Sequence, residues 1–138
     1  MSRSRYAIGR EFEYRVRNDM ANHGFIAVRS PASKSPTDVY CIGVGVNVFV
    51  QCKTNGKLPM REWNRFWAQC KSVDAIPVMA MKGIRGRIRY MLLTGPKERG
   101  MRRQPMADWI PIEGGRHEVS RVDGGRDRGK GGNRRQER

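Results

Sequence analysis

Three polar residues at the ends of two predicted strands have types and spacing that suit chemistry at a phosphate. Asp38 opens one strand and residues 46–53 form the next, with the glycines of residues 42–45 turning the chain between them. Alternate residues of a strand share a face, so Gln51 and Lys53 point the same way. If the two strands pair antiparallel, Asp38 lies beside Gln51 and Lys53. A carboxylate, an amide carbonyl and an ammonium that converge in this way can hold Mg²⁺ and a water molecule beside a phosphate.

The charge of the chain favours a polyanionic partner. Its 138 residues include 28 Lys and Arg against 13 Asp and Glu, a formal net charge of +15. Such an excess favours nucleic acid, because a basic surface releases counterions from phosphates. A membrane is the competing polyanion, but the sequence has no long apolar segment and no helix with an apolar face opposite a purely basic one. We therefore expect DNA as the partner and no membrane contact.

The N-terminal residues and the cysteines favour a cytoplasmic protein, which is compatible with a nucleoid-associated or a phage-encoded one. Residues 1–5 precede a charged helix and not the apolar core of a signal peptide. Cys41, Cys52 and Cys70 are odd in number and lack metal-ligand spacing, so we expect reduced thiols.

Composition divides the chain into a domain and a tail. The length leaves room for one domain with one core. From residue 114 onward Gly and Arg dominate and few apolar residues remain, so this part cannot bury enough surface to become ordered. We predict a folded domain at residues 1–113 and a flexible basic tail at 114–138 that adds non-specific affinity for DNA.

Hydrophobic periodicity predicts an α/β domain with a central mixed sheet flanked by helices, in the order αβββαβ. A first helix at residues 6–23 carries an apolar stripe at four-residue steps, and a second at residues 60–73 has a broad aromatic face that includes Trp63. Trp63 stands at the helix start, where either the core or stacking on a base would use it. Besides the strand that Asp38 opens, the predicted strands are residues 25–30, 46–53, 75–81, 87–94 and 106–112.

Several basic and hydroxyl residues could contact DNA, although each also has an ordinary structural interpretation. The loop after Arg29 offers hydroxyls, backbone N–H groups and positive charge to phosphate oxygens, and an ordinary Ser/Pro turn is the alternative. Near the fifth predicted strand, Arg85, Arg87 and Arg89 alternate and would form one basic rib, or simply a solvated strand face. Glu13 stands four residues before Arg17, so a surface ion pair explains it equally well. The loop candidates are Ser30, Ser33 and Lys34.

A set of features in a fixed order carries a family resemblance. A helix with Glu13 precedes the phrase Gly-Phe-x-x-Val-Arg-Ser at residues 24–30, then Asp38, then Gln51-Cys52-Lys53. Over residues 8–81 this order resembles the archaeal-type Holliday-junction resolvases of the PD-(D/E)XK nuclease superfamily. The resemblance implies a restriction-endonuclease-like core and a homodimeric endonuclease of DNA recombination and repair. Such an enzyme uses Mg²⁺, with Mn²⁺ as a substitute, and resolves four-way junctions by paired phosphodiester hydrolysis.

The same resemblance implies a role for each matched residue. Asp38 would be the central metal-binding carboxylate, and Glu13 would help to bind the metal or its water. Lys53 would orient or deprotonate the attacking water and stabilise the charge that develops on the phosphorus centre. Arg29 would contact a DNA phosphate near the cut. The loop that follows would place two hydroxyls near the junction, those of Ser30 and Ser33.

The chain departs from the family pattern at position 51, where Gln51 replaces the usual Glu or Asp. An amide carbonyl can ligate a hard cation, but the site has one negative charge fewer, so we expect weaker metal binding unless Glu13 compensates. The predicted ligands are therefore Glu13, Asp38, Gln51 and the backbone carbonyl of Cys52. The insertion of Thr37 between the proline and the aspartate is a minor departure.

Two other functions fit the composition of the chain. One is a PD-(D/E)XK nuclease that acts on other DNA substrates. The other is a non-catalytic basic nucleic-acid-binding module in which the acid, amide and lysine are ordinary strand-edge residues. Charge and tail suit all three functions, but only a nuclease explains why Asp38, Gln51 and Lys53 fall at positions that converge.

Overall fold

Six strands and two α-helices form the part of the chain that the computed structural model describes, residues 4–31 and 35–112. The predicted sites Ser33 and Lys34 and the predicted tail lie outside these residues, so the division at residue 113 stays a prediction. In chain order the elements are α1 (Arg5–Asn22), β1 (Ile26–Arg29), β2 (Val39–Gly43), β3 (Val46–Cys52), α2 (Met60–Ser72), β4 (Ile76–Lys82), β5 (Ile88–Leu93) and β6 (Met106–Trp109), with a 3-10 helix at Ile84–Gly86.

The strands form one mixed sheet in the order β1-β2-β3-β4-β5-β6. Among the described strands, only β3 and β4 pair in parallel, and α2 makes the crossover between them, as a parallel pair requires. The other neighbours are antiparallel and joined directly along the chain. The predicted single α/β domain with a mixed sheet and the order αβββαβ is therefore confirmed.

Each face of the sheet is covered by one helix. Phe12, Val16 and Met20 of α1 are buried against inward-facing residues of β2 and β3, as the four-residue stripe predicts. On the other face α2 buries Trp63 and Phe66 in a second apolar cluster. The indole Nε1 of Trp63 donates a 2.9 Å hydrogen bond to a main-chain carbonyl, so this side chain belongs to the core and is not free to stack on a base.

Strand directions bring several chain segments to one edge of the sheet. There β1, β3 and β4 end while β2 and β5 begin, as the pairs Arg29–Val39, Cys52–Ala80 and Lys82–Ile88 show. We call this edge the site edge. Asp38 comes immediately before β2 and Lys53 immediately after β3, so both lie on it.

The prediction that Arg85, Arg87 and Arg89 form one basic rib is wrong. β5 begins only at Ile88, and Arg85 lies in the 3-10 helix with a left-handed φ of 59°, so it does not share strand alternation with the next arginines. Arg89 is in β5 but is paired with Asp108 at 3.0 Å. The turn that carries Arg85 and Arg87 does lie at the site edge, because it joins the end of β4 to the start of β5.

Within residues 4–31 and 35–112, neither helix is both long and apolar enough to cross a bilayer.

Candidate active site

The backbone holds Asp38 between two strands. Its N–H donates to the carbonyl of Val50 in β3 at 2.9 Å, and its own carbonyl accepts from the N–H of Ser30, next to β1, at 2.8 Å. Its carboxylate then reaches along the edge and accepts a 2.7 Å hydrogen bond from the N–H of Cys52. The predicted antiparallel pair therefore places Asp38 beside the end of β3.

Burial makes the carboxyl group of Asp38 hard to ionise. The pKa of this group is raised from 3.8 to about 6, mainly because the carboxyl group loses solvent, and the nearby charge of Glu13 acts in the same direction. The Cys52 N–H and the charges of Lys53 and Arg29 act in the opposite direction without cancelling the effect of burial. A bound cation would favour the ionised carboxylate, so this position suits a ligand more than a solvated surface acid.

Asp38 lines two small cavities, one on the α1 side and one on the α2 side of the sheet. The α1-side cavity has a volume of about 180 Å³ and is lined by Glu13, Arg29 and Ser30 together with Asp38. The α2-side cavity has a volume of about 230 Å³ and contains Gln51 and Asp38. The remaining lining residues are Arg5, Tyr6, Gly9, Arg10 and Pro31 for the first, and Ser35, Pro36, Glu62 and Arg65 for the second.

Glu13 and Arg29 form an ion pair in the α1-side cavity. Arg29 Nη1 lies 3.0 Å from Glu13 Oε1, and the guanidinium lies over the ring of Tyr14, 4.6 Å from its centroid. The hydrogen bond that Arg29 donates to Glu13 raises the pKa of the guanidinium above its usual value, so it stays charged. The helix glutamate thus lies beside Asp38 as predicted, but one of its oxygens is occupied by Arg29.

The end of β3 carries the other predicted residues on the expected faces. Gln51 lines the α2-side cavity and is 8% exposed, and its Oε1 has no hydrogen-bond partner among the residues that the structure describes. Lys53 points the same way, and its Nζ lies 3.6 Å from Glu62 Oε1. The side chain of Cys52 packs on the α1 side, where burial raises the pKa of its thiol far above the usual range. A thiol that stays protonated is a poor ligand for a hard cation, so the backbone carbonyl of Cys52 stays the predicted ligand at this position.

Sequence reasoning missed Glu62. This residue stands in the first turn of α2, three positions after the helix cap at Pro59. The sequence did contain a signal, because Glu62 is an acid that follows soon after the motif in which Gln51 replaces the usual acid. The position of α2 over Gln51, however, is set by tertiary packing and could not be predicted from the sequence.

Comparison with known proteins places this site on a recognised fold. No protein-family model and no curated protein matches the sequence. The structure is similar to Hjc of Archaeoglobus fulgidus, a Holliday junction resolvase from an archaeal hyperthermophile, with a TM-score of 0.53 and 18% sequence identity. The match covers 72% of this chain and 83% of that one. The chain has the fold of an archaeal Holliday junction resolvase. The predicted resemblance is confirmed as a likeness of fold.

A metal site on this fold would depend on the amide of Gln51. Among the described residues, no three His, Cys, Asp or Glu side chains are grouped so that they could hold a metal ion. Within the described part of the chain, however, the buried Oε1 of Gln51 is unpartnered, and Gln51 lines the same cavity as Asp38. Buried oxygens of this kind are normally satisfied, and two types of oxygen donor suit Mg²⁺. The residues present therefore fit an oxygen-preferring cation.

The predicted DNA contacts separate into two groups along the site edge of the resolvase fold. Arg29 and Ser30 line the α1-side cavity with Asp38. Arg87 instead precedes β5, three strand spacings from β2, which corresponds to about 14 Å. It lines a different groove with Tyr90 and Trp109. The structure thus brings Arg29 and Ser30 into the candidate site and leaves Arg85 and Arg87 on the flank.

Proposed function

We propose that the protein is a Mg²⁺-dependent endonuclease that resolves four-way DNA junctions by paired phosphodiester hydrolysis. The observation that carries this proposal is that the half-buried carboxylate of Asp38 shares one cavity with Gln51, whose Oε1 has no partner in the described part of the chain, with the charge of Lys53 near enough to act on Asp38. A resolvase fold and a net charge of +15 support DNA as the substrate.

Each group has a defined task in hydrolysis of a phosphodiester. Asp38 and the Gln51 oxygen would hold the cation, with Glu13 and the Cys52 carbonyl near its water shell. When bound, Mg²⁺ supplies a Lewis acid and lowers the pKa of a coordinated water. Lys53 follows Gln51 by one strand period, so its ammonium can orient the attacking water and stabilise negative charge on the phosphate oxygens.

The α1-side cavity supplies the contact with the DNA backbone. Arg29 is held by Glu13 and Tyr14, so its guanidinium is already ordered before DNA arrives. An ordered arginine loses less freedom on binding a phosphate than a solvated one. Arg5 and Arg10 of α1 add charge to the same cavity. We assign this surface to the phosphate next to the cut.

Paired cleavage requires two copies of the chain. One chain carries one Asp38 and hence one site, whereas two symmetric cuts across a junction need two sites related by a two-fold axis. The proposal therefore includes a homodimer on the junction.

The test compares cleavage of a labelled synthetic four-way junction with cleavage of linear duplex, each with and without Mg²⁺. The proposal expects paired nicks in the junction that require Mg²⁺ and spare the duplex. Equal cutting of both substrates would favour a nuclease with another DNA substrate. Junction binding with no cutting at any concentration of Mg²⁺ or Mn²⁺ would favour the non-catalytic module.

A further inference from the structure

The α2-side cavity brings a second carboxylate to the amide that replaces the motif acid. Asp38, Gln51 and Glu62 all line this cavity of about 230 Å³. The three side chains come from three different elements: the approach to β2, the end of β3 and the first turn of α2. Together they offer two carboxylates and one amide oxygen. The two carboxylates carry the same negative charge as the family pattern, in which Asp38 would be joined by a Glu in the strand at position 51.

The state of Gln51 indicates that this cavity takes a ligand. The side chain is more than nine-tenths buried, its Oε1 lacks a hydrogen-bond partner within residues 4–31 and 35–112, and Gln51 lines the cavity. A buried acceptor in that state needs a donor or a cation. Because acidic groups share the cavity, a divalent cation suits it better than an anion.

Of the two acids that share a cavity with Asp38, Glu62 is the one placed to complete this set. Glu13 lies in the other cavity and is hydrogen-bonded to Arg29 at 3.0 Å. Glu62 shares the cavity with Gln51, and its contact with Lys53 Nζ at 3.6 Å holds it near the end of β3. Its side chain is 54% exposed, so it can turn toward an entering cation without disturbing the core.

We propose that Glu62 supplies from α2 the carboxylate that position 51 lacks and so completes a divalent-cation site with Asp38 and Gln51. This inference rests on the proposed metal-dependent function and names one of its ligands. The competing role for Glu62 is to position Lys53 without touching the metal. The two roles predict different effects on metal affinity, because the removal of Glu62 weakens metal binding strongly only if Glu62 is a ligand.

The test measures Mn²⁺ binding to the full-length protein by electron paramagnetic resonance, with no DNA present. Glu62→Gln should weaken Mn²⁺ binding by about tenfold or more. Glu98→Gln is the matched control, since it removes the same charge from an exposed position that lines neither cavity. The loss should persist at about 0.5 M KCl, where the attraction between charges that are not in contact is largely screened. Wild-type affinity in Glu62→Gln would overturn the inference.

A relocation variant gives a second, independent result. Glu62→Gln combined with Gln51→Glu moves the carboxylate from α2 back to the strand. If Glu62 is a ligand, this pair should recover Mn²⁺ affinity to within about threefold of wild type. Affinity as weak as in Glu62→Gln alone would contradict a shared site.

These measurements separate the inference from the proposed function. A protein that binds Mn²⁺ through Glu62 but never cuts DNA would refute the nuclease and leave the cation site intact. A protein that cuts junctions while Glu62→Gln binds Mn²⁺ normally would refute the assignment of Glu62 and leave the nuclease intact. Absence of Mn²⁺ binding to the wild-type protein would refute the site itself.

Discussion

The main-chain N–H of Cys52 donates a 2.7 Å hydrogen bond to the carboxylate of Asp38, which ties the approach to β2 to the end of β3. This bond orients a carboxylate whose burial has already raised its pKa to about 6. An ionised carboxylate in this position destabilises the fold when no cation is bound. Ionisation becomes favourable when a cation occupies the cavity. The properties of the site follow from this balance.

Replacement of Asp38 by Asn should stabilise the metal-free protein in a pH-dependent way. Because the pKa of Asp38 is near 6 in the folded protein and 3.8 is its ordinary value, the native state binds more protons between these values, and stability falls as pH rises through them. Asp38→Asn removes this penalty, so it should gain at most about 3 kcal/mol at pH 8 and little below pH 4.

Urea unfolding in EDTA at several pH values measures this difference. Asp74→Asn is the control at an exposed position, and it should stay within about 0.5 kcal/mol of wild type at every pH. An Asp38→Asn protein that is no more stable than wild type at pH 8 would show that the carboxyl is not destabilised by burial.

Removal of the Asp38 carboxylate should separate DNA binding from cleavage. Asp38→Ala should reduce Mg²⁺-dependent junction cleavage by about 10³-fold or more, since a metal ligand is lost. Junction affinity should stay nearly unchanged, because the arginines of the site remain. Single-turnover cleavage and gel-shift titration of the same protein measure both quantities. A comparable fall in binding would assign Asp38 to DNA recognition.

Gln51→Glu should reduce the Mg²⁺ concentration that cleavage requires. A carboxylate in place of the buried amide adds one negative charge beside Asp38, so the Mg²⁺ midpoint should fall by about tenfold. Without metal the same charge is buried and uncompensated, so the melting temperature in EDTA should fall and Mg²⁺ should restore it. A higher Mg²⁺ requirement would exclude position 51 from the metal site.

Arg29→Ala should weaken junction binding through the loss of one phosphate contact. The slope of log affinity against log salt should become shallower by about 1. Arg102→Ala is the control, because that arginine is exposed and lines neither cavity at Asp38. A slope that changes equally in both variants would show that Arg29 contributes only general charge.

Local patterns in the sequence were sufficient to predict the strand pair and the faces of its residues. β2 and β3 are joined by a short glycine turn, so their antiparallel pairing and the position of Asp38 beside Gln51 follow from chain geometry alone. The period of two likewise placed Gln51 and Lys53 on one face and Cys52 on the other. Glu13 followed from the resemblance, and the structure places it in the cavity with Asp38.

Only the tertiary structure decided which side chains from distant elements meet this pair. Arg29 could have been solvated, but the position of α1 over β1 brings Glu13 to it. Glu62 reaches the Gln51 cavity because Trp63 and Phe66 fix the rotation of α2 on the sheet, and packing of that kind is not encoded in local periodicity. The left-handed backbone of Arg85 likewise arises from the turn between β4 and β5 and not from strand alternation.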